Sequence, residues 1–318
     1  MQYTTLGRTG LQVSVAGLGC GGFSKLGLGT GQSKEHAVGI IRQAIDLGVT
    51  LIDTAAVYGT EDVVGTALRD VPRDSVVVCT KASSVGGKPF TVDKVIESLD
   101  GSLQRLGLDY VDVFQLHAVP PSAYDHVRDV IAPALLREKE KGKFRFLGIT
   151  ETAPNDPEQH MLNRAMRDDP WDTAMVAFHL MDQVARTQVF PHTLANRIGT
   201  LMMFAVRSIF AKPAQLAATM RELVAAGQVP AWLAESDNPL SFLVHPDGAS
   251  SLTDAAYRYV RHEPGVDVVL FGTGDAGHLR TNIESILKPP LPAADRAKLQ
   301  ELFSHLRGVG LEAPPRMG

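Results

Sequence analysis

Eight times along the chain a short, nearly continuous apolar run is followed by a longer stretch in which apolar residues recur every three or four positions. The runs are VAGLGCGGF from Val15, then 50–54, 76–80, 111–116, 144–149, 173–178, 199–204 and 266–271. Continuous apolar runs of this length mark parallel strands buried on both faces. The intervening stretches read as helices over 33–47, 61–69, 91–106, 124–142 and 157–167, a turn and helix ending near Asn196, then 213–226 and 275–287; Val38, Ile41, Ala44 and Ile45 show the spacing in the first. Each connection is long enough for a right-handed crossover. Eight such units predict an α/β fold of the closed (β/α)8 TIM barrel type rather than an open, doubly wound sheet.

Three segments fall outside the repeat. Tyr3 to Leu6 and Leu11 to Val15 flank GRTG and predict an N-terminal β-hairpin that plugs or decorates the barrel. An excursion over 228–263 carries an amphipathic helix through Tyr257 and Val260, and another helix runs from Pro292 to about Leu306. These are the two extra helices. The tail GVGLEAPPRMG has punctuating glycines and prolines without periodicity and reads as a loop. The expectation is one barrel domain over residues 1–318.

Composition narrows the function classes. With 44% hydrophobic and 21% charged residues and a formal net charge of −4, the chain has ample material for a core and no basic excess to suggest nucleic acid as a partner. The N-terminus MQYTTLGRTG lacks a basic segment followed by an apolar one, and no apolar run reaches the roughly 18–20 residues that span a bilayer. No membrane association and a cytoplasmic location are expected. Cys20 and Cys79 lie in apolar segments without CxxC spacing, so buried free thiols are expected and no metal site.

In a barrel of this kind the chemistry lies at the carboxyl ends of the strands. Asp53, Lys81 and His117 close three successive apolar runs, and Tyr58 follows Asp53 by five residues. Each alone has a plain structural explanation, as a turn cap, a packed ring or a satisfied core histidine. A lysine closing a buried strand, however, needs a charged partner or solvent, and four such groups at matched strand ends point to proton transfer at an oxygen. A phenol, with an ordinary pKa of about 10, becomes a usable acid when a cation favours its ionised form. Lys81 supplies that cation, Asp53 holds Lys81, and His117 orients or polarises a carbonyl oxygen.

DTAAVYG, TK at the end of VVVCTK and QLH at the end of VDVFQLH resemble the aldo-keto reductase superfamily, as do YTTLGRTGLQVS, LGLDYVDVFQLH, GKFRFLGIT and FGTGDAGHLRTNIESI, in order along nearly the whole chain. The resemblance implies a (β/α)8 barrel that binds NADP(H), with NAD(H) as the alternative, and reduces an aldehyde or ketone without metal. Asp53, Tyr58, Lys81 and His117 match the catalytic tetrad, with Tyr58 as general acid. Gly17, Gly19 and Gly22 also satisfy G-x-G-x-x-G, but no helix opens on the third glycine and no acidic residue closes a strand about 20 residues on. Within the resemblance the Gly21–Gly22 backbone faces the nicotinamide ribose; a mere flexible loop is the other reading.

The same resemblance assigns the adenosine end of the cofactor to Thr273, Gly274, His278, Arg280 and Asn282, with Asn282 facing adenine. Thr273 and Gly274 are expected at the start of a helix whose N-terminal amides favour an anion. Gly272 and His278 stand where relatives carry basic residues, and Arg280 is either a substitute or a solvated helix charge. Thr150 and Glu151 replace the Ser-Asn that meets the carboxamide, and Met175 replaces a glutamine. Phe204 and Arg207, in MFAVRS, are the expected stacking ring and pyrophosphate contact. A small carbonyl or alcohol compound is the expected partner. Two other classes stay open: an NAD-linked sugar or alcohol dehydrogenase, and a nicotinamide-bound regulatory subunit with little turnover.

Overall fold

A computed structural model describes residues 1–83 and 89–311, so residues 312–318 of the C-terminal tail lie outside it. The first two strands, β1 (Tyr3–Thr5) and β2 (Gln12–Ser14), pair antiparallel with Tyr3 opposite Ser14. A 3-10 turn over Gly7–Thr9 joins them. Gly7 has φ +47° and lies so close to the segment at Gly199 that a Cβ would strike the backbone nitrogen of that residue.

Eight parallel strands then close a barrel: β3 (Ala16–Gly19), β4 (Leu51–Asp53), β5 (Val77–Ser83), β6 (Val111–Val119), β7 (Phe144–Glu151), β8 (Thr173–Ala177), β9 (Gly199–Met203) and β10 (Val268–Phe271). They follow chain order, and β10 pairs with both β9 and β3. Two apolar layers result. The larger lies between strands and helices. The smaller fills the barrel interior with Leu51, Val77, Cys79, Val113, Met175, Leu201 and Val268, and the hairpin side chains Leu6, Leu11 and Val13 belong to it. The hairpin is therefore a plug at the end of the barrel where the strands begin.

Three features depart from the sequence expectation. β5 and β6 do not stop at Lys81 and His117 but continue to Ser83 and Val119, because the two strands keep pairing up to Ser83 opposite His117. Past Leu116 the register of β6 against β7 shifts, and Ala118 takes φ +54°. The helix over 124–142 forms as Tyr124–His126 and Ala132–Glu140 joined by a π-helical turn, Val127–Ile131. The two extra helices are present, but the roles of the pair between β9 and β10 are exchanged. Leu252–Arg261, with Asp254 to Val260 all buried, packs on β10 and on the helix Ala276–Leu287, so it is the barrel-wall helix. Pro213–Ala225 packs chiefly on the short turns Ser208–Ala211 and Ala231–Ala234 and is the decoration, together with Ala293–Phe303 near the end. Both segments are amphipathic, and periodicity does not say which surface an apolar face will meet.

The plug carries a testable load. Leu6 is fully buried and Leu194 is 56% exposed. Leu6→Ala is expected to lower the unfolding free energy by about 2–5 kcal/mol, seen as an earlier midpoint in urea. Leu194→Ala should shift it by less than about 0.5 kcal/mol.

Candidate active site

β4 ends on Asp53, β5 carries Lys81, and β6 carries His117, three neighbouring strands that present their side chains at one rim. Tyr58 reaches the same rim from the 3-10 turn Ala56–Tyr58, which Gly59 closes in the left-handed conformation, φ 69°. Lys81 is fully buried in a side-chain cluster it could not enter alone. Its Nζ lies 2.7 and 2.8 Å from the two carboxylate oxygens of Asp53 and 2.8 Å from the carbonyl oxygen of Thr54, so the ammonium is held by three acceptors. Burial works against the charge, but the Asp53 carboxylate outweighs it and holds Lys81 above the ordinary lysine pKa.

Lys81 Nζ sits 5.1 Å from the centre of the Tyr58 ring. The Tyr58 hydroxyl lies 3.4 Å from His117 Nε2, and the two rings meet edge to face, 5.6 Å apart at 87°. Burial raises the Tyr58 pKa above 10, and Lys81 pulls in the other direction without cancelling it. This corrects the expectation of a phenol lowered by Lys81: the loss of water is the larger effect, and Tyr58 is a protonated phenol at neutral pH. Its conjugate base is nonetheless stabilised by the adjacent ammonium. Burial and the nearby Lys81 charge press His117 down to about 3, so its imidazole is neutral. His117 Nδ1 lies 2.8 Å from Ser83 Oγ. The sequence reading passed over Ser83, although its place two residues after Lys81 puts both on one face of β5.

Gly21 packs directly on the Tyr58 ring, where a Cβ would overlap it, and the backbone of Gly22, φ +71°, borders open space. Thr150 Oγ1 accepts the Ala118 N–H at 2.7 Å and so ties β7 to the irregular turn after His117. Glu151 is buried beside it; its Oε1 accepts from Ala177 N at 2.6 Å and from Gln159 Nε2 at 3.1 Å, while Oε2 has no hydrogen-bond partner. Burial raises its pKa well above the carboxylate range, with Asp182 and Asp156 nearby adding to the effect. Gln159, also unforeseen, is fully buried, takes φ +52° and also donates to the Ala177 carbonyl oxygen at 2.9 Å. Met175 points into the apolar barrel interior.

The Arg207 guanidinium lies 4.0 Å over the Phe204 ring, and it donates to the carbonyl oxygens of Gly310 and Leu311 at 3.2 and 3.3 Å. Leu311 in turn packs with Ala153 and Ala177, against Phe204. The expected pyrophosphate arginine therefore anchors the chain's last described turn. At the expected adenosine end, Thr273 Oγ1 accepts from Asp275 N, His36 Nε2 lies 2.7 Å from the Gly274 carbonyl oxygen, and Gly274 is pressed against the backbone of Gly27. The helix begins at Ala276, later than expected, and Asp275 is its cap, accepting the His278 N–H at 2.7 Å. His278 and Arg280 are exposed and Asn282 is half-buried.

Both cysteines are buried free thiols, held protonated by burial. Among the described residues no cluster of three His, Cys, Asp or Glu side chains could hold a metal ion, and no helix is long and apolar enough to cross a membrane.

The Asp53–Lys81 pair sets a stability test that is independent of any activity. Asp53→Ala leaves a buried ammonium without its partner and is expected to cost about 3–5 kcal/mol. Adding Lys81→Met removes the orphaned charge, so the double variant should recover most of that loss in urea denaturation. Equal losses in the single and double variants would show that the pair does not carry the local structure.

The sequence model of the aldo/keto reductase family matches residues 17–303. An L-galactose dehydrogenase of Arabidopsis thaliana is 37% identical over 171 residues, a match spanning 52% of this chain and 52%, about half, of that protein. The aldo-keto reductase YhdN of Bacillus subtilis is 27% identical over 296 residues, 88% of this chain and 87% of the relative. Among solved structures, the holo form of the aldo-keto reductase AKR11C1 from Bacillus halodurans superposes with a TM-score of 0.72 at 22% identity, covering 95% of this chain and 96% of that one, which shows a shared fold. The chain thus belongs to the aldo/keto reductase family and is an oxidoreductase that acts on a carbonyl or alcohol group, in a family that uses NAD(P)(H).

Proposed function

We propose that the protein reduces an aldehyde or ketone to an alcohol with Tyr58 as general acid. The observation that carries this reading is the convergence of the Tyr58 hydroxyl and His117 Nε2, 3.4 Å apart, above a lysine locked on Asp53. The rim suits a nicotinamide: the unpartnered Oε2 of Glu151 beside Thr150 offers a hydrogen-bond position for a carboxamide, and the Gly22 backbone leaves room for close approach. A dinucleotide bound there supplies the hydride.

The chain's own residues do the rest. A carbonyl oxygen placed between Tyr58 and His117 receives hydrogen bonds from both. As negative charge builds on that oxygen, Tyr58 gives up its proton to it, and the phenolate left behind is stabilised by Lys81. Asp53 keeps Lys81 charged and fixed in place. His117, being neutral, polarises the oxygen without competing as an acid. In the reverse direction the same phenolate accepts the proton of an alcohol.

One observation favours a second reading, an NAD-linked sugar or alcohol dehydrogenase. The resemblance implies NADP(H), whose 2′-phosphate needs cations, but at that end Asp275 places a carboxylate held below its ordinary pKa by the His278 N–H. It occupies the amide that an anion would use, and Gly272 and His278 stand in place of basic residues. The relative named as an L-galactose dehydrogenase fits the same reading.

Tyr58→Phe is expected to cut turnover by about 10²–10⁴-fold while dinucleotide affinity, read by fluorescence quenching, stays unchanged; full activity in that variant would refute the general-acid role. For the cofactor, titration of the wild type should give tighter binding of NAD(H) than of NADP(H), and Asp275→Ser should narrow the gap. A clear preference of the wild type for NADP(H) would return the assignment to that dinucleotide. Tight binding without turnover on any carbonyl or alcohol tested would mark a regulatory subunit instead.

A further inference from the structure

The two ring nitrogens of His117 face different groups. Nδ1 lies 2.8 Å from Ser83 Oγ, and Nε2 lies 3.4 Å from the Tyr58 hydroxyl. Ser83 and His117 are register partners across β5 and β6, so the serine hydroxyl is set against the ring by strand pairing. The ring is neutral, with burial and the adjacent Lys81 opposing its protonation. A neutral imidazole carries one N–H, which leaves two tautomers.

These tautomers have opposite consequences at the rim. With the proton on Nδ1, the ring donates to Ser83 and turns a lone pair toward Tyr58. The phenolic hydrogen is then drawn to the imidazole, and a carbonyl oxygen approaching Nε2 meets a second lone pair. With the proton on Nε2, Tyr58 O–H and His117 N–H become two donors that can address the two lone pairs of one carbonyl oxygen. The first arrangement withholds the proton from the substrate; the second delivers it.

We propose that Ser83 is a positioning residue that selects the second arrangement: its hydroxyl donates to His117 Nδ1, fixes the Nε2–H tautomer, and makes His117 a partner of Tyr58 rather than a competitor for its proton. No proton leaves Ser83 or His117 in this role. The hydroxyl is a donor of fixed direction, as the hydrogen bond on the far nitrogen of an imidazole sets which nitrogen carries the proton. The contact between Ser83 and Nδ1 stands on geometry, whereas the effect of the tautomer on rate rests on the carbonyl-reduction reading above.

The test reads the ring directly. Long-range nitrogen–proton spectra of protein labelled with 15N-histidine distinguish the two tautomers, and His117→Gln identifies the His117 signals by their disappearance. At neutral pH the wild type should show a proton on Nε2 and a bare Nδ1. Ser83→Ala should move the proton toward Nδ1 and lower kcat by about 10- to 100-fold with dinucleotide affinity unchanged, and Ser83→Thr, which keeps the hydroxyl, should restore both signals and rate. In the His117→Gln background, Ser83→Ala should have no further effect on kcat. A wild-type ring protonated on Nδ1 overturns the proposal, as does a Ser83→Ala variant whose tautomer is unaltered. A tautomer that behaves as expected in a protein that reduces no carbonyl upholds the role of Ser83 and overturns the reading of the reaction.

Discussion

The site depends on a buried ion pair. Lys81 is entirely enclosed and Asp53 nearly so, and each would be intolerable at its position without the other. Their contact spans β4 and β5, so those two strands must pair in register for the charges to meet. Once it does, the ammonium is aimed without any flexible side chain to order at the moment of reaction. Tyr58, on the short turn that follows Asp53, is packed between this charge and the backbone of Gly21. Strand pairing, charge pairing and the placement of the phenol are thus one constraint.

Two opposing effects then act on the same phenol. Burial favours the protonated form, and the lysine favours the phenolate. The balance is a phenol that holds its proton beside a cation that stabilises its conjugate base. The neutral imidazole of His117 follows from the same enclosure. One environment leaves both the phenol and the imidazole uncharged.

The barrel and the four rim residues were legible because they break a rule locally: polar groups at the ends of apolar runs are conspicuous. What stayed hidden depended on partners distant in sequence. Leu252–Arg261 and Pro213–Ala225 both carry an apolar face, and packing shows that the first meets the barrel wall. The contacts of Arg207 with Gly310 and Leu311 lie more than a hundred residues away in sequence and could not be read from its neighbours. Asp275 shifted the helix start by capping it, since a carboxylate three residues before an amide competes with any external anion. Ser83 is a common residue at an unremarkable spacing, and its meaning appears only when His117 is set opposite.

The three hydrogen bonds of Lys81 have one more consequence. Free amines condense with aldehydes and ketones to give imines, and an unprotonated lysine beside a carbonyl site is the usual nucleophile for that reaction. Here the ammonium donates to Asp53 and Thr54, and the carboxylate keeps the nitrogen charged, with no lone pair to offer. A lysine held in this way is a poor nucleophile and does not act as a free amine toward a carbonyl at the rim.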